Sequence, residues 1–129
     1  MAAYLDTSAL IKLVRSEPES PALRAAIGST GSLVSSALLA VEGRRAAARY
    51  GSLAVTRVRS ALGTVTLLPL DEPTLETAAA LEPSELRSLD ALHLATAIGL
   101  GAALGCVYCY DRCLGDAAVG LGLEVRRPT

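Results

Sequence analysis

Four carboxylates in this chain stand where a fold can gather them. Asp6 directly follows Tyr4-Leu5, and Asp111 directly follows Tyr108-Cys109-Tyr110. Both runs have β character, so both acids fall at the carboxyl ends of strands, the edge at which open parallel sheets bind ligands. Asp90 lies two residues after Ser88, in the first turn of a predicted helix and just before the apolar stripe Ala91, Leu92, Leu94, Ala95. Taken singly, it is explained by the helix dipole, which favours an acid there. Glu42 sits early in another predicted helix, ALLAVEGRRAAA, and taken singly is a solvated glutamate. The chain has only five aspartates, however, and a parallel sheet brings its strand ends together. Carboxylates about 4 Å apart repel by roughly 4 kcal/mol per pair at an effective dielectric of about 20. A cluster of them must be protonated, hydrated or neutralised by cations. A hard, all-oxygen site of this kind suits Mg²⁺ or Mn²⁺. Two such ions bridged by carboxylates activate a water and stabilise the leaving oxygen of a phosphodiester.

Other chemistry-bearing residues are weaker candidates. Asp116, five residues after Asp111 on the last predicted helix, either lines the same site or belongs to a solvated face. His93 is expected to be a hydrogen-bonded structural residue, because metal-bound water needs no histidine base. Cys106, Cys109 and Cys113 are an odd number, which does not fit a secreted disulfide framework. Cys106 and Cys109 lie in the apolar run CVYCYD, where a spacing of three on a strand points them to opposite faces. The three cysteines are therefore read as small buried hydrophobes rather than a metal or redox pair.

These residues need elements to position them. The chain has 129 residues, 12 Lys+Arg against 13 Asp+Glu, and 51% hydrophobic residues, which suits one domain spanning 1–129 and excludes disorder. Phe and Trp are absent, which argues against aromatic nucleic-acid platforms, and the near-zero net charge argues against a wholly phosphate-binding surface. Strands are predicted at Ala2–Leu5, Leu33–Ser35, Thr64–Leu68, Val107–Tyr110 and Leu123–Arg126. Helices are predicted at Ser8–Arg15, to about Ile27, from an N-cap at Ser36 to Tyr50, and over Ser52–Leu62 and Glu72–Leu81. Two more run from a cap at Ser88 to about Gly99, and over Arg112–Gly120. The alternation implies a three-layer α/β/α domain around a central, mainly parallel sheet. The uncharged run 91–110 has the length of a bilayer span, but His93, Thr96 and three glycines interrupt it. It reads as a helix, a turn and a strand, so no membrane association is expected. The start MAAYLDTSAL has no basic region ahead of its apolar residues, and a cytoplasmic location is expected.

At the acidic residues the chain resembles the PIN-domain ribonucleases, and particularly the VapC-type toxins. Tyr4-Leu5-Asp6-Thr7-Ser8-Ala9-Leu10 resembles their opening motif. Val34-Ser35-Ser36-Ala37 leading to Glu42-Gly43-Arg44-Arg45-Ala46 resembles the second. Leu86-Arg87-Ser88-Leu89-Asp90-Ala91-Leu92-His93-Leu94-Ala95-Thr96-Ala97 is the most specific match, and Tyr110-Asp111-Arg112 opens the last. The resemblance implies that Asp6, Glu42, Asp90 and Asp111 form a catalytic, metal-holding quartet, and that Ser8 orients Asp6 or a metal-bound water. It implies a Mg²⁺- or Mn²⁺-dependent endoribonuclease that hydrolyses phosphodiesters in structured RNA of the tRNA or rRNA class. The partners it implies are a VapB-like antitoxin and a second copy of the chain. Arg112, Arg44 and Arg45 are then candidate RNA-backbone contacts, with Arg49, Arg57 and Arg59 nearby. Leu10, Leu13 and Leu23 are candidate antitoxin-docking residues. Cys109 stands where many relatives carry Thr, which implies weaker hydrogen-bond support for Asp111. Gly43 beside Glu42 lowers helix propensity or permits close packing. A phosphatase of the haloacid-dehalogenase kind is disfavoured, because Asp6 is not followed two residues on by a second Asp. The remaining alternative is a non-catalytic PIN-like module that binds RNA or protein.

Overall fold

A computed structural model describes residues 1–129. The sheet is five-stranded and wholly parallel, in the order β3-β2-β1-β4-β5. The strands are β1 (Ala2–Leu5), β2 (Ser32–Ser36), β3 (Thr66–Leu68), β4 (Leu104–Tyr108) and β5 (Val125–Arg126). The helices are α1 (Thr7–Val14), α2 (Ser20–Gly28), α3 (Leu38–Ala48), α4 (Ser52–Leu62), α5 (Glu72–Ala80), α6 (Ser88–Gly99) and α7 (Arg112–Gly120).

Side chains alternate across the strands with a period of two, and each parity has its own core. Ala3 and Leu5 of β1, Leu33 of β2, and Cys106 and Tyr108 of β4 face Leu10, Leu23, Leu39 and Val58 of α1 to α4. Tyr4, Val34 and Val107 face the other way, toward Leu94 and Ala97 of α6 and Leu114 and Ala118 of α7. Helix α5 packs on α6 and buries no residue of its own fully. The expected three-layer α/β/α architecture is what forms.

Local departures have identifiable causes. Strand β4 stops at Tyr108 rather than Tyr110, because the Tyr110 N–H leaves the ladder and donates to Ser8 Oγ at 2.8 Å. Strand β3 starts at Thr66 rather than Thr64, because the Thr64 and Val65 N–H groups close the last turns of α4. Strand β5 is only Val125–Arg126, and α3 ends at Ala48 rather than Tyr50. Ser36 is the last residue of β2, and Ala37 holds the N-cap position of α3, although Ser36 Oγ accepts from the Leu38 N–H at 3.1 Å. Ser88 is the first residue of α6 rather than its cap, and Arg87 precedes it without a side-chain cap bond. Cys113 is exposed, so only Cys106 and Cys109 are the buried hydrophobes expected, one in each core. Leu10 and Leu23 are fully buried and unavailable for docking a partner. No helix is long and apolar enough to cross a membrane.

Strand order reverses direction between β1 and β4, and the crevice at their carboxyl ends is where open α/β sheets place a ligand.

Candidate active site

Asp6 and Asp111 are the first residues beyond β1 and the β4 loop, and each also caps the helix that follows. Asp6 Oδ1 accepts from the Ala9 N–H at 2.9 Å, and Asp111 Oδ1 accepts from the Leu114 N–H at 3.0 Å. A helix start supplies unpaired N–H groups and positive potential, so each carboxylate is fixed by the backbone it begins. Ser8 ties the two loops together. Its hydroxyl donates to Asp6 at 2.7 and 2.9 Å and accepts from the N–H groups of Tyr110 and Asp111 at 2.8 and 3.1 Å. The thiol of Cys109 reaches Asp6 Oδ2 at 3.0 Å and the Asp111 carbonyl at 3.3 Å. Cys109 therefore supports the Asp6 carboxylate, not the Asp111 carboxylate. Burial holds the Asp6 carboxyl above its ordinary range, against the Ser8, Cys109 and Ala9 hydrogen bonds that favour its ionised form. Burial and the Asp6 charge also push the Cys109 thiol up, keeping it a neutral donor.

Glu42 comes from α3 and is half-buried rather than solvated. The Thr7 hydroxyl donates to its Oε1 at 2.8 Å, and His93 Nε2 lies 2.6 Å from the same oxygen. His93 Nδ1 in turn meets the Tyr4 hydroxyl at 2.6 Å. Ionised Glu42 can only accept, so Nε2 carries a proton and donates to it. Burial would raise the Glu42 carboxyl, but the hydrogen bond and charge of His93, together with Thr7, outweigh it and hold it below the usual range. His93 is buried, and its position is that of the structural residue expected.

Asp90, in the first turn of α6, is nearly buried and paired with Arg87. Arg87 Nε and a terminal nitrogen both lie 2.9 Å from Asp90 Oδ2, and the same terminal nitrogen lies 3.6 Å from Asp111 Oδ2.

All four acids line one cavity of about 630 Å³, with Thr7, Ser8, Arg49, Arg87 and His93 among its other walls. Asp116 is exposed on α7 and is not in that wall, nor is Arg112, which is exposed at the start of α7. Arg44 and Arg45 are exposed on α3 and line a neighbouring shallow cavity with Ala48 and Arg49, so Arg49 joins the two. The donor chemistry suits a hard divalent cation: four carboxylates and three hydroxyls against two arginines and one histidine. No three of the acidic and imidazole side chains converge here as ligands of one ion. Arg87 holds Asp90 and Asp111 instead, and His93 holds Glu42.

Three participants were not anticipated from the sequence. Arg87 stands three residues before Asp90 at a helix start, a spacing that signals a pair on one face. Thr7 and Tyr4 carry no such signal, because their partners are 35 and 89 residues away.

An acid-lined crevice at the switch point of a parallel sheet agrees with the family comparison, in which residues 3–112 match the PIN domain. The chain belongs to the PIN-domain family. Within it the chain belongs with the VapC proteins. It is 46% identical to Ribonuclease VapC46 of Mycobacterium tuberculosis over 128 residues, 99% of this chain and 98% of that protein. It is 40% identical to Ribonuclease VapC47 of the same species, covering 97% of this chain and 96% of that one. The fold is shared with VapC20 of Mycobacterium tuberculosis, described as a sarcin–ricin loop cleaving toxin, at a TM-score of 0.75 and 18% identity over 98% and 99% of the two chains. A toxin–antitoxin complex from Klebsiella pneumoniae shares it at a TM-score of 0.72 and 23% identity over 98% of each chain.

Proposed function

We propose that this chain is an endoribonuclease that uses Mg²⁺ or Mn²⁺, cuts structured RNA of the tRNA or rRNA class, and is the toxin of a toxin–antitoxin pair. The observation that carries the reading is the meeting of Asp6, Glu42, Asp90 and Asp111 in one cavity at the β1–β4 crevice. The names of VapC46 and VapC47 as ribonucleases support the activity, and the description of VapC20 supports a folded RNA target. The four carboxylates would hold the metal, which when bound supplies an activated water and neutralises charge on the leaving oxygen.

The chain's own residues prepare that site. Asp6 and Asp111 are fixed by their helix caps and by Ser8, and Glu42 is kept ionised by His93 and Thr7. Arg49, at the cavity wall, leads to Arg44 and Arg45 and extends positive charge away from the acids along α3. Phosphates of the RNA backbone suit these arginines, whose planar forks bind phosphate oxygens in pairs. Arg112, exposed next to Asp111 at the start of α7 though outside the cavity wall, would serve the same purpose. A VapB-like antitoxin restrains the activity, and a second copy of the chain completes a dimer. The Klebsiella complex supports the first of these partnerships.

The purified chain should cut folded RNA when Mg²⁺ or Mn²⁺ is supplied, stop when EDTA is added, and lose activity by at least about a hundredfold in Asp6→Ala. Mapping the 5′ ends of cellular RNA after brief induction then identifies the cut. RNA bound tightly but left whole under all these conditions would replace this reading with the non-catalytic module.

A further inference from the structure

Arg87 is an unusual neighbour for four acids that are to hold metal. It stands immediately before α6, makes no cap bond there, and its side chain is 68% exposed. Yet the guanidinium reaches inward, placing two nitrogens 2.9 Å from Asp90 Oδ2 and one of them 3.6 Å from Asp111 Oδ2. It joins an acid on α6 to an acid at the start of α7, two elements that otherwise belong to separate sequence segments. A divalent ion held by Asp90 and Asp111 would need the same carboxylate oxygens. Arg87 and the ion therefore compete for one position. Because most of the arm is in solvent, leaving costs Arg87 little packing, even though the Asp90 it holds is only 13% exposed.

We propose that Arg87 is an internal counter-ion with two successive roles, an inference that rests on the metal-dependent reading above. Before metal binds, it holds Asp90 and Asp111 together and offsets their repulsion. Once displaced, it remains within an arm's length of the cavity and takes a phosphate oxygen of the RNA backbone beside the scissile bond. A guanidinium suits both tasks, because its fork pairs with carboxylate and phosphate oxygens alike. Arg49 also lines the cavity but makes no ion pair to the acids, so Arg87 alone links the two functions.

The two roles give Arg87→Gln effects of opposite sign, which a merely damaged site cannot do. Calorimetric titration of metal-stripped protein with Mn²⁺ should show binding about three- to tenfold tighter than wild type, because the competitor is gone. The difference should shrink as salt is raised, since the guanidinium is largely in solvent, where salt screens its charge. RNA cleavage at saturating Mn²⁺ should nevertheless weaken, with a severalfold rise in KM and little change in kcat. Arg87→Lys keeps the charge and should return Mn²⁺ affinity to near wild type, with KM partly restored. Circular dichroism on each variant checks the fold. Unchanged or weaker Mn²⁺ binding in Arg87→Gln overturns the proposal, as does tighter binding with an unaltered KM. If wild type and variant differ as stated in Mn²⁺ affinity but neither cuts RNA, the nuclease reading fails while the competition at Asp90 and Asp111 stands.

Discussion

A carboxylate that is 2% exposed must be charged to hold a cation, and burial opposes that charge. Asp6 is in this position, with its carboxyl held above the ordinary range by burial. A group whose folded pKa is raised contributes stability that is present below its unfolded value and is lost as pH rises through the folded one. Ionised Asp6 thus weakens the metal-free fold at neutral pH. Asp6→Asn keeps an oxygen for Ala9 and Ser8 without the charge, and should melt above wild type in EDTA near neutrality. The gap should close as the pH falls into the carboxylate range, where wild type protonates as well. Adding Mn²⁺ should reverse the order, because only wild type gains by mass action. A lower melting temperature for Asp6→Asn in EDTA would mean that its hydrogen bonds outweigh its charge. The same scale explains what was legible in the sequence. Asp6, Asp90 and Asp111 could be placed because a strand end and a helix first turn are local signals. Glu42, solvated when taken singly, joins them in the sequence only through the family resemblance, because its partners Thr7 and His93 arrive from 35 and 51 residues away.

Elements bring those distant partners together, and Gly43 sets how closely. A Cβ on Gly43 would lie 2.5 Å from Leu10 Cδ2, inside the core between α3 and α1. The glycine lets α3 approach α1, so that Glu42 meets Thr7 across the same contact. Gly43→Ala should raise helix propensity by about 1 kcal/mol, yet overpacking a buried contact costs about 1–3 kcal/mol. A net loss of about 1 kcal/mol is expected in denaturant titration, with a larger loss of RNA cleavage as Glu42 moves off Thr7. A more stable Gly43→Ala would show that Leu10 yields freely. The three-layer order was readable from the amino-acid sequence, in which apolar runs alternate with Ala-rich helical stretches. Element ends were less so. Strand β4 ends early because Ser8, a hundred residues away, captures the Tyr110 N–H.

At the scale of the molecule, apolar surface remains after the two cores are filled. Mean hydropathy is +0.41, and helix α5 has no fully buried residue, with Leu75 48% exposed. Between α5 and α6 lies a groove of about 460 Å³ lined largely by apolar residues, among them Leu75, Leu81, Leu86 and Leu92. Ser88 lines both this groove and the acid cavity, and its neighbour Leu89, 49% exposed on α6, joins the wall of the acid cavity. A two-fold contact through this face would cover α5 and set two acid cavities near one another, which suits a folded RNA. Light scattering at micromolar concentration should give twice the 13.3 kDa chain mass. Leu75→Arg should weaken the association by at least about tenfold, as loss of an apolar anchor does. Because the contact is apolar, added salt should leave the dimer intact while it erodes the Arg87 effect on Mn²⁺ affinity. A monomer at every concentration tested, or a dimer indifferent to Leu75→Arg, would remove this face as the interface. Charge placed at Leu75 leaves the cavity walls untouched. Mn²⁺ affinity should therefore survive in the Leu75→Arg monomer even if cleavage of a large folded RNA falls, separating what one chain does from what the pair does.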